Sequence, residues 1–290
     1  MSHRLNSRAQ LRGAPLFRAL WLGMLLTLAG GLPAAGSAQA STLPTLTLAL
    51  TSSSITVTGS TQSGAVNVVS SATGVKEASA ILFLLKPGVT VAELEAVLKS
   101  GAGEDPNKAS KYGSIVFDAE APTGQNSEVQ TDLVPGQYVA LAGAGESSSP
   151  KVGATFTVTA AASPATLPTP QATVRSIEFG FRGPSTLHDG ELVRFENEGY
   201  LVHMDIAFPV KSEQAAKRAV KDLLTGKEKA LEKLVVGPPV GFTGPLSHEA
   251  FQQETISAKP GIYVQACFME TQDGRDHTRL GMERIIKIVK

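Results

Sequence analysis

The sequence predicts an all-β protein made of two tandem β-sandwich domains, each with a short helical insertion. Three observations predict it. Short segments alternate apolar and polar residues with period two, as half-buried strands do. A Pro-Gly-x-Tyr motif occurs twice, at 135–138 and 260–263, inside stretches that can be laid over one another. Between the copies, residues 160–172 are rich in Pro, Ala and Thr and lack any hydrophobic pattern, so they read as an extended spacer. Such a spacer would let the two halves move independently.

The N-terminus reads as an export signal spanning 1–40. Arg4, Arg8, Arg12 and Arg18 precede an apolar stretch at 19–32, and Ala38-Gln39-Ala40 offers a small-x-small cleavage site. The apolar stretch is short and Gly-containing for a membrane span. Cleavage after Ala40 would leave about 250 residues, enough for two domains and destined for the periplasm or the exterior.

The first domain is expected at 41–159. Residues 46–50, 55–58, 66–69, 80–85 and 154–158 read as strands. Thr90-Val91-Ala92-Glu93 is a capping box, and Leu94, Val97 and Leu98 form the apolar stripe of the helix behind it. The second domain is expected at 173–290. Residues 174–181 and 192–196 read as strands, with a turn at Asp189-Gly190 between them. Further strands are expected from His203 to Phe208, over 263–268 and over 285–289. A helix runs from Ser212 to about Leu224, with Ala215, Ala216, Ala219, Val220 and Leu223 on one side and Gly226 as its stop.

Cys267 is the only cysteine. A lone thiol in an exported chain pairs between molecules, reacts, ligates a metal, or is a small buried hydrophobe. Its neighbours favour ligation. His203, Cys267, His277 and Met282 supply two imidazoles, a thiolate and a thioether, a donor set that suits copper in a type 1 site. The first copy carries none of them. Overlaying the Pro-Gly-x-Tyr stretches places Ala142 at Cys267, overlaying 74–78 on 199–203 places Ala78 at His203, and the loop after Ala142 places Ser149 near His277 and Ala154 at Met282. Residues 41–159 contain no His and no Cys, so the framework and the donor set are separable.

At these residues the second half resembles the cupredoxins, the plastocyanin- and azurin-like family of type 1 copper proteins. Phe195-Glu196-Asn197, His203, Pro260-Gly261-Ile262-Tyr263, Cys267, His277 and Met282 follow that family's order. The resemblance implies Greek-key, cupredoxin-like sandwiches, with metal ligands only in the second. It implies one type 1 copper bound by His203, Cys267, His277 and, weakly, Met282, and single-electron transfer to an unidentified redox protein partner. It further implies that His277 is the ligand nearest solvent, with Phe268, Met269 and Leu280 as an apolar contact patch. Three features depart from the family pattern: a long Cys267–His277 loop, Met204 after the first His, and Gln265 two residues before Cys267.

The resemblance also implies that the chain is not an enzyme. Copper oxidases and nitrite reductases carry a His beside the thiolate, whereas Cys267 is flanked by Ala266 and Phe268. His188 and His248 are expected to face solvent. Zero net charge, from 26 basic and 26 acidic residues, argues against nucleic acid as a partner. No apolar run after the signal is long enough to span a membrane. Two other readings stay open: a metal-free exported interaction module, and a copper carrier that exchanges its metal. The basic residues Lys217, Arg218, Lys221, Lys227, Lys229 and Lys233 read either as a solvated helix face or as a docking face for an acidic partner.

Overall fold

The computed structural model describes residues 43–290, apart from 76–77, 103–104 and 145–149. The expected signal and Ser149 lie outside the described residues. The first half contains β1 (Thr45–Thr51), β2 (Ile55–Gly59), β3 (Gly64–Thr73), β4 (Ala78–Leu85), β5 (Gly113–Glu120), β6 (Ser127–Leu133), β7 (Gly136–Ala144) and β8 (Lys151–Val158). One sheet has the order β2-β1-β3-β6 and the other β5-β4-β7-β8. The chain passes between them in Greek-key fashion, and their facing sides close a core around Leu46, Leu48, Val68, Leu82, Phe117 and Tyr138. Alternation creates this core directly: Leu46, Leu48 and Leu50 point inward from β1, and the residues between them do not.

The second half repeats the plan with β9 (Ala172–Ile177), β10 (Gly180–Arg182), β11 (Thr186–His188), β12 (Leu192–Asn197), β13 (His203–Val210), β14 (Val240–Leu246), β15 (Phe251–Thr255), β16 (Gly261–Ala266) and β17 (Glu283–Val289). Its sheets run β10-β9-β12-β15 and β11-β17-β16-β13-β14. The protein is thus all-β, with two sandwiches and one helical insertion at the same place in each. In the first, α1 (Val91–Val97) carries the full capping box, Glu93 N–H donating to Thr90 Oγ1 and Thr90 N–H to Glu93 Oε2. Leu94 and Val97 pack on Phe83 and Val139. In the second, α2 (Glu213–Leu224) is capped by Ser212 and buries Ala216, Ala219 and Leu223 against Phe208 and Val264; α3 (Glu228–Glu232) follows.

The repeated tyrosines have one job. Tyr138 donates its hydroxyl proton to Val134 O at 2.9 Å, and Tyr263 does the same to Lys259 O at 2.7 Å. Each ring is buried and ties the turn before its strand to the strand itself. That explains why the motif persists in the copy without His or Cys.

Strand registers test the overlay of the two copies. Ile81 pairs with Leu141 as Ile206 pairs with Ala266, so Ala78 and Ala142 do stand where His203 and Cys267 stand. The pairing of Ala154 with Met282 is corrected. A bulge between Ala140 and Leu141 shifts β8, so that Val152 lies opposite Leu141 as Glu283 lies opposite Ala266. Lys151, not Ala154, therefore occupies the position of Met282.

Two further expectations change. Residues 174–181 are not one strand: the chain turns at Glu178-Phe179, Phe179 taking a left-handed φ of 59°, and returns as β10. Nor are the halves free of each other. Gln253 pairs with Gln130, joining β15 to β6, so one eight-stranded sheet runs through both halves. Asp118 N–H donates to Gln252 Oε1, Thr131 Oγ1 to Phe251 O, and Ile115 and Ser247 exchange two bonds. The 160–172 stretch lies along this body. Ala65 N–H donates to Ala165 O and Gln253 Nε2 to Pro168 O. An extended Pro-rich segment keeps its carbonyls available, and the edge residues it crosses take them up.

Candidate metal centre

The site lies at one end of the second sandwich, where β13 begins and β16 ends. Asn197, the last residue of β12, organises the loop that delivers His203. Its Nδ2 donates to Leu201 O and Leu246 O, and its Oδ1 accepts from Gly199 N–H, all within 2.9 Å. Gly199 is required by space: a Cβ there would stand 2.6 Å from His203 Nε2. Glu178, in the β9–β10 turn, accepts the N–H groups of Tyr200 and Leu201 and draws that turn onto the same loop.

Cys267 follows β16. Its N–H donates to Met282 O, Met282 N–H to His277 O, and His277 N–H to Met269 O. These bonds fold the long loop back upon itself. Gly281 makes the reversal, taking φ 98° after the turn His277–Leu280, and returns Met282 to the core. Cys267, Met269, Met282 and Val202 form one buried cluster, with Phe179, Phe181 and Met204 around it.

Three of the four sequence-predicted donors converge. His203 Nδ1 and His277 Nδ1 are 3.2 Å apart. Cys267 Sγ lies 3.4 Å from His277 Nδ1 and 3.8 Å from His203 Nδ1. Metal–N bonds near 2.0–2.1 Å and metal–S bonds near 2.3 Å in a trigonal arrangement would set donor separations of roughly 3.5–4 Å. The triangle already has about that size. Two imidazole nitrogens and a sulfur therefore fit a copper ion, and Met282 packs in the same cluster. Among the described residues, this is the one group of His, Cys and carboxylate side chains close enough to hold a metal ion.

The site is dry. His203, Cys267, His277 and Met282 are each at most 1 % exposed. Burial, then the neighbouring His277, lowers the pKa of His203 to about 3. Burial lowers His277 to about 4, opposed by Glu178. Both rings are thus neutral and ready to ligate at neutral pH. Burial pushes the Cys267 thiol up to about 12, although the Met204 N–H, 3.4 Å from Sγ, favours the thiolate. A bound cation would supply the missing stabilisation.

His277, which the resemblance implies is the ligand nearest solvent, is itself buried. Phe179 lies edge-on to its ring, centroids 5.3 Å apart, so the left-handed turn caps the site. The patch of Phe268, Met269 and Leu280 does not form. Met269 is buried, Phe268 is half-buried edge-on to Phe208, and Leu280 is half-buried. His188 and His248 do face solvent; His188 sits by Glu191, and His248 stacks on Tyr200. On α2, Lys217 pairs with Glu213 and Arg218 with Asp222, as on a solvated helix face.

Sequence reasoning missed a polar network behind the site. Gln265 Nε2 donates to Asp205 Oδ2 at 2.5 Å, and Arg284 Nε donates to Gln265 Oε1 at 2.6 Å. Asp205 is 1 % exposed, and its carboxyl is pushed up to about 7 by burial, opposed by Gln265 and Arg284. An Asp amid the apolar residues of β13 was the available signal.

Each half is an all-β sandwich. No protein-family model and no curated sequence matches the chain. Solved structures do. One is a dithionite-reduced auracyanin from Roseiflexus castenholzii, 15 % identical, spanning 41 % of this chain and 95 % of that one, with TM-score 0.25. Another is auracyanin A, a blue copper protein of Chloroflexus aurantiacus, 15 % identical over 40 % of this chain and 95 % of that one, TM-score 0.23. A third is the copper-containing nitrite reductase of Thermus scotoductus, 12 % identical over 85 % of this chain and 68 % of that one, TM-score 0.25.

Proposed function

We propose that the chain is an exported copper protein that passes single electrons through a type 1 site, in which His203, Cys267 and His277 would hold the metal and Met282 would be a further, weak thioether donor. The observation that carries this is the convergence of two Nδ1 atoms and one Sγ in a buried triangle. Copper, when bound, would supply the one-electron couple between Cu(II) and Cu(I).

The chain's own residues would do the rest. Cys267 would give up its proton and offer the metal a thiolate. The Met204 N–H steadies its sulfur. The bonded loop from Met269 to Met282 would hold the donor positions fixed. Phe179 and the surrounding apolar groups exclude water. Full burial of the donors favours passing electrons to a docked redox protein over binding a substrate. The flanks of Cys267, Ala266 and Phe268, offer no ligand for a second metal. Residues 41–159 and 173–290 would be the two domains, only the latter bearing ligands. Among the described residues no helix is long and apolar enough to cross a membrane.

The test is Cu(II) titration of the full chain, followed in the visible range. An intense thiolate-to-copper charge-transfer band at one equivalent is expected, and Cys267→Ser should remove it with the fold intact. A colourless protein whose thiol still titrates freely would sink the proposal and favour the metal-free module. Rapid loss of the metal to a chelator would favour the carrier reading.

A further inference from the structure

One residue that ties the two ligand-bearing loops together comes from the other half of the chain. Asn107 sits in a short turn, Pro106–Ala109, between α1 and β5. It is 7 % exposed. Its Oδ1 accepts from Val202 N–H at 2.8 Å, and its Nδ2 donates to Glu270 O at 3.3 Å. Val202 immediately precedes His203. Glu270 lies between Cys267 and His277, next to the Met269 carbonyl that receives the His277 N–H. One amide therefore bridges the loop of the first imidazole and the loop of the thiol and second imidazole.

The bridge is anchored on its own side. Asn107 N–H donates to Asp105 Oδ1 at 3.1 Å, and its carbonyl accepts from Ser110 N–H and Oγ. On the His203 side the other polar link to the Cys267 loop is the Met204 N–H to Cys267 Sγ, at 3.4 Å, which holds the sulfur and does not reach Glu270. The planar amide of Asn107, with an acceptor and a donor side by side, makes both bonds at once.

We propose that Asn107 is a positioning residue for the metal centre of the second half, so that the half without ligands sets the geometry of the half that has them. This rests on the copper reading of the His203–Cys267–His277 triangle. Groups that orient metal ligands from behind commonly change metal affinity about 10–100-fold when removed. Asn107 touches no donor atom; it acts through the backbone on either side of them.

The experiment compares the full chain with Asn107→Ala, Asn107→Asp and Thr131→Val. Asn107→Asp keeps the acceptor for Val202 and loses the donor to Glu270. Thr131→Val removes another bond between the halves, Thr131 Oγ1 to Phe251 O at 2.8 Å, on the shared sheet and outside both ligand loops. Two readouts are used: copper affinity with the visible band, and alkylation of Cys267 by iodoacetamide without metal. Asn107→Ala should weaken copper about 10–100-fold, shift the band and speed alkylation. Asn107→Asp should fall between it and the parent, and Thr131→Val should match the parent. If the alanine variant does not fold by circular dichroism, the aspartate variant carries the test. Parent-like behaviour of the folded Asn107 variants, or an equal change in Thr131→Val, overturns the proposal. Faster alkylation in Asn107→Ala, with no copper bound by the parent, would uphold the brace and discard the copper reading.

Discussion

His203 and His277 meet through their Nδ1 atoms at 3.2 Å, although 74 residues separate them in the chain. Neither buried Nε2 has a hydrogen-bond partner. Two neutral rings held this closely, with a thiol sulfur beside both, form a site prepared for a cation. Its consequences are measurable.

Copper binding should release one proton per metal, a number constant from about pH 5 to 9, so affinity should rise about tenfold per pH unit. Both imidazoles are neutral there, their pKa values lying at about 3 and about 4, and the thiol near 12 is protonated. Calorimetry in buffers of different ionisation enthalpy counts the proton. Imidazoles with ordinary values would release more protons as pH falls below about 6.5, which would contradict the buried, neutral pair.

Gly199→Ala should weaken copper binding about 10–100-fold. The new Cβ would fall 2.6 Å from His203 Nε2 and 2.7 Å from Glu178 Oε1, so the ring or the capping turn must shift. Affinity and the visible band report this. An unchanged band would show that the loop yields without moving His203.

Met282→Leu should retain copper and raise its reduction potential. Removing a weak thioether donor destabilises Cu(II) more than Cu(I). The leucine is close in volume, so stability should change by less than about 1.5 kcal/mol. Voltammetry checks the potential; no shift would make Met282 a packing residue only.

Glu254→Gln should flatten the pH dependence of stability. Glu254 lines a cavity between the halves with Asp118, Glu120 and Met204. Burial, with Glu120 and Asp205 nearby, pushes its carboxyl from an ordinary 4.5 up to about 8. A carboxyl whose folded pKa is raised keeps a proton that the unfolded chain gives up. Its contribution is therefore present below about pH 4.5 and lost progressively as pH rises to about 8. Glutamine has no proton to lose. Urea denaturation at pH 4, 6 and 8 should show the variant gaining on the parent as pH rises, and a constant difference would refute the assignment.

Much of this was legible in the sequence because it depends on neighbours along the chain. Inward leucines of β1 follow from alternation, the start of α1 from Thr90 and Glu93, and the linked tyrosine turns from Pro-Gly-x-Tyr. The donor set could be named from residue chemistry and order alone. The three-residue β11 was not foreseen, nor were β5, β6, β7, β14 and β15. The latter five carry Gly, Gln, Ser or Asp that weaken the strand pattern, and partner strands or the other half supply what those residues need.

The tertiary structure alone decided the rest. Whether β6 and β15 join, whether a bulge puts Lys151 rather than Ala154 at the position of Met282, and whether Phe179 covers His277 all depend on pairings between distant segments. Such pairings leave no periodic trace, because their hydrogen bonds run through backbone that every residue shares. Asn107 is the plainest case. Its amide is an ordinary loop residue in the sequence, and becomes a link between two ligand loops only because the seam brings residues 95 and 163 positions away against it.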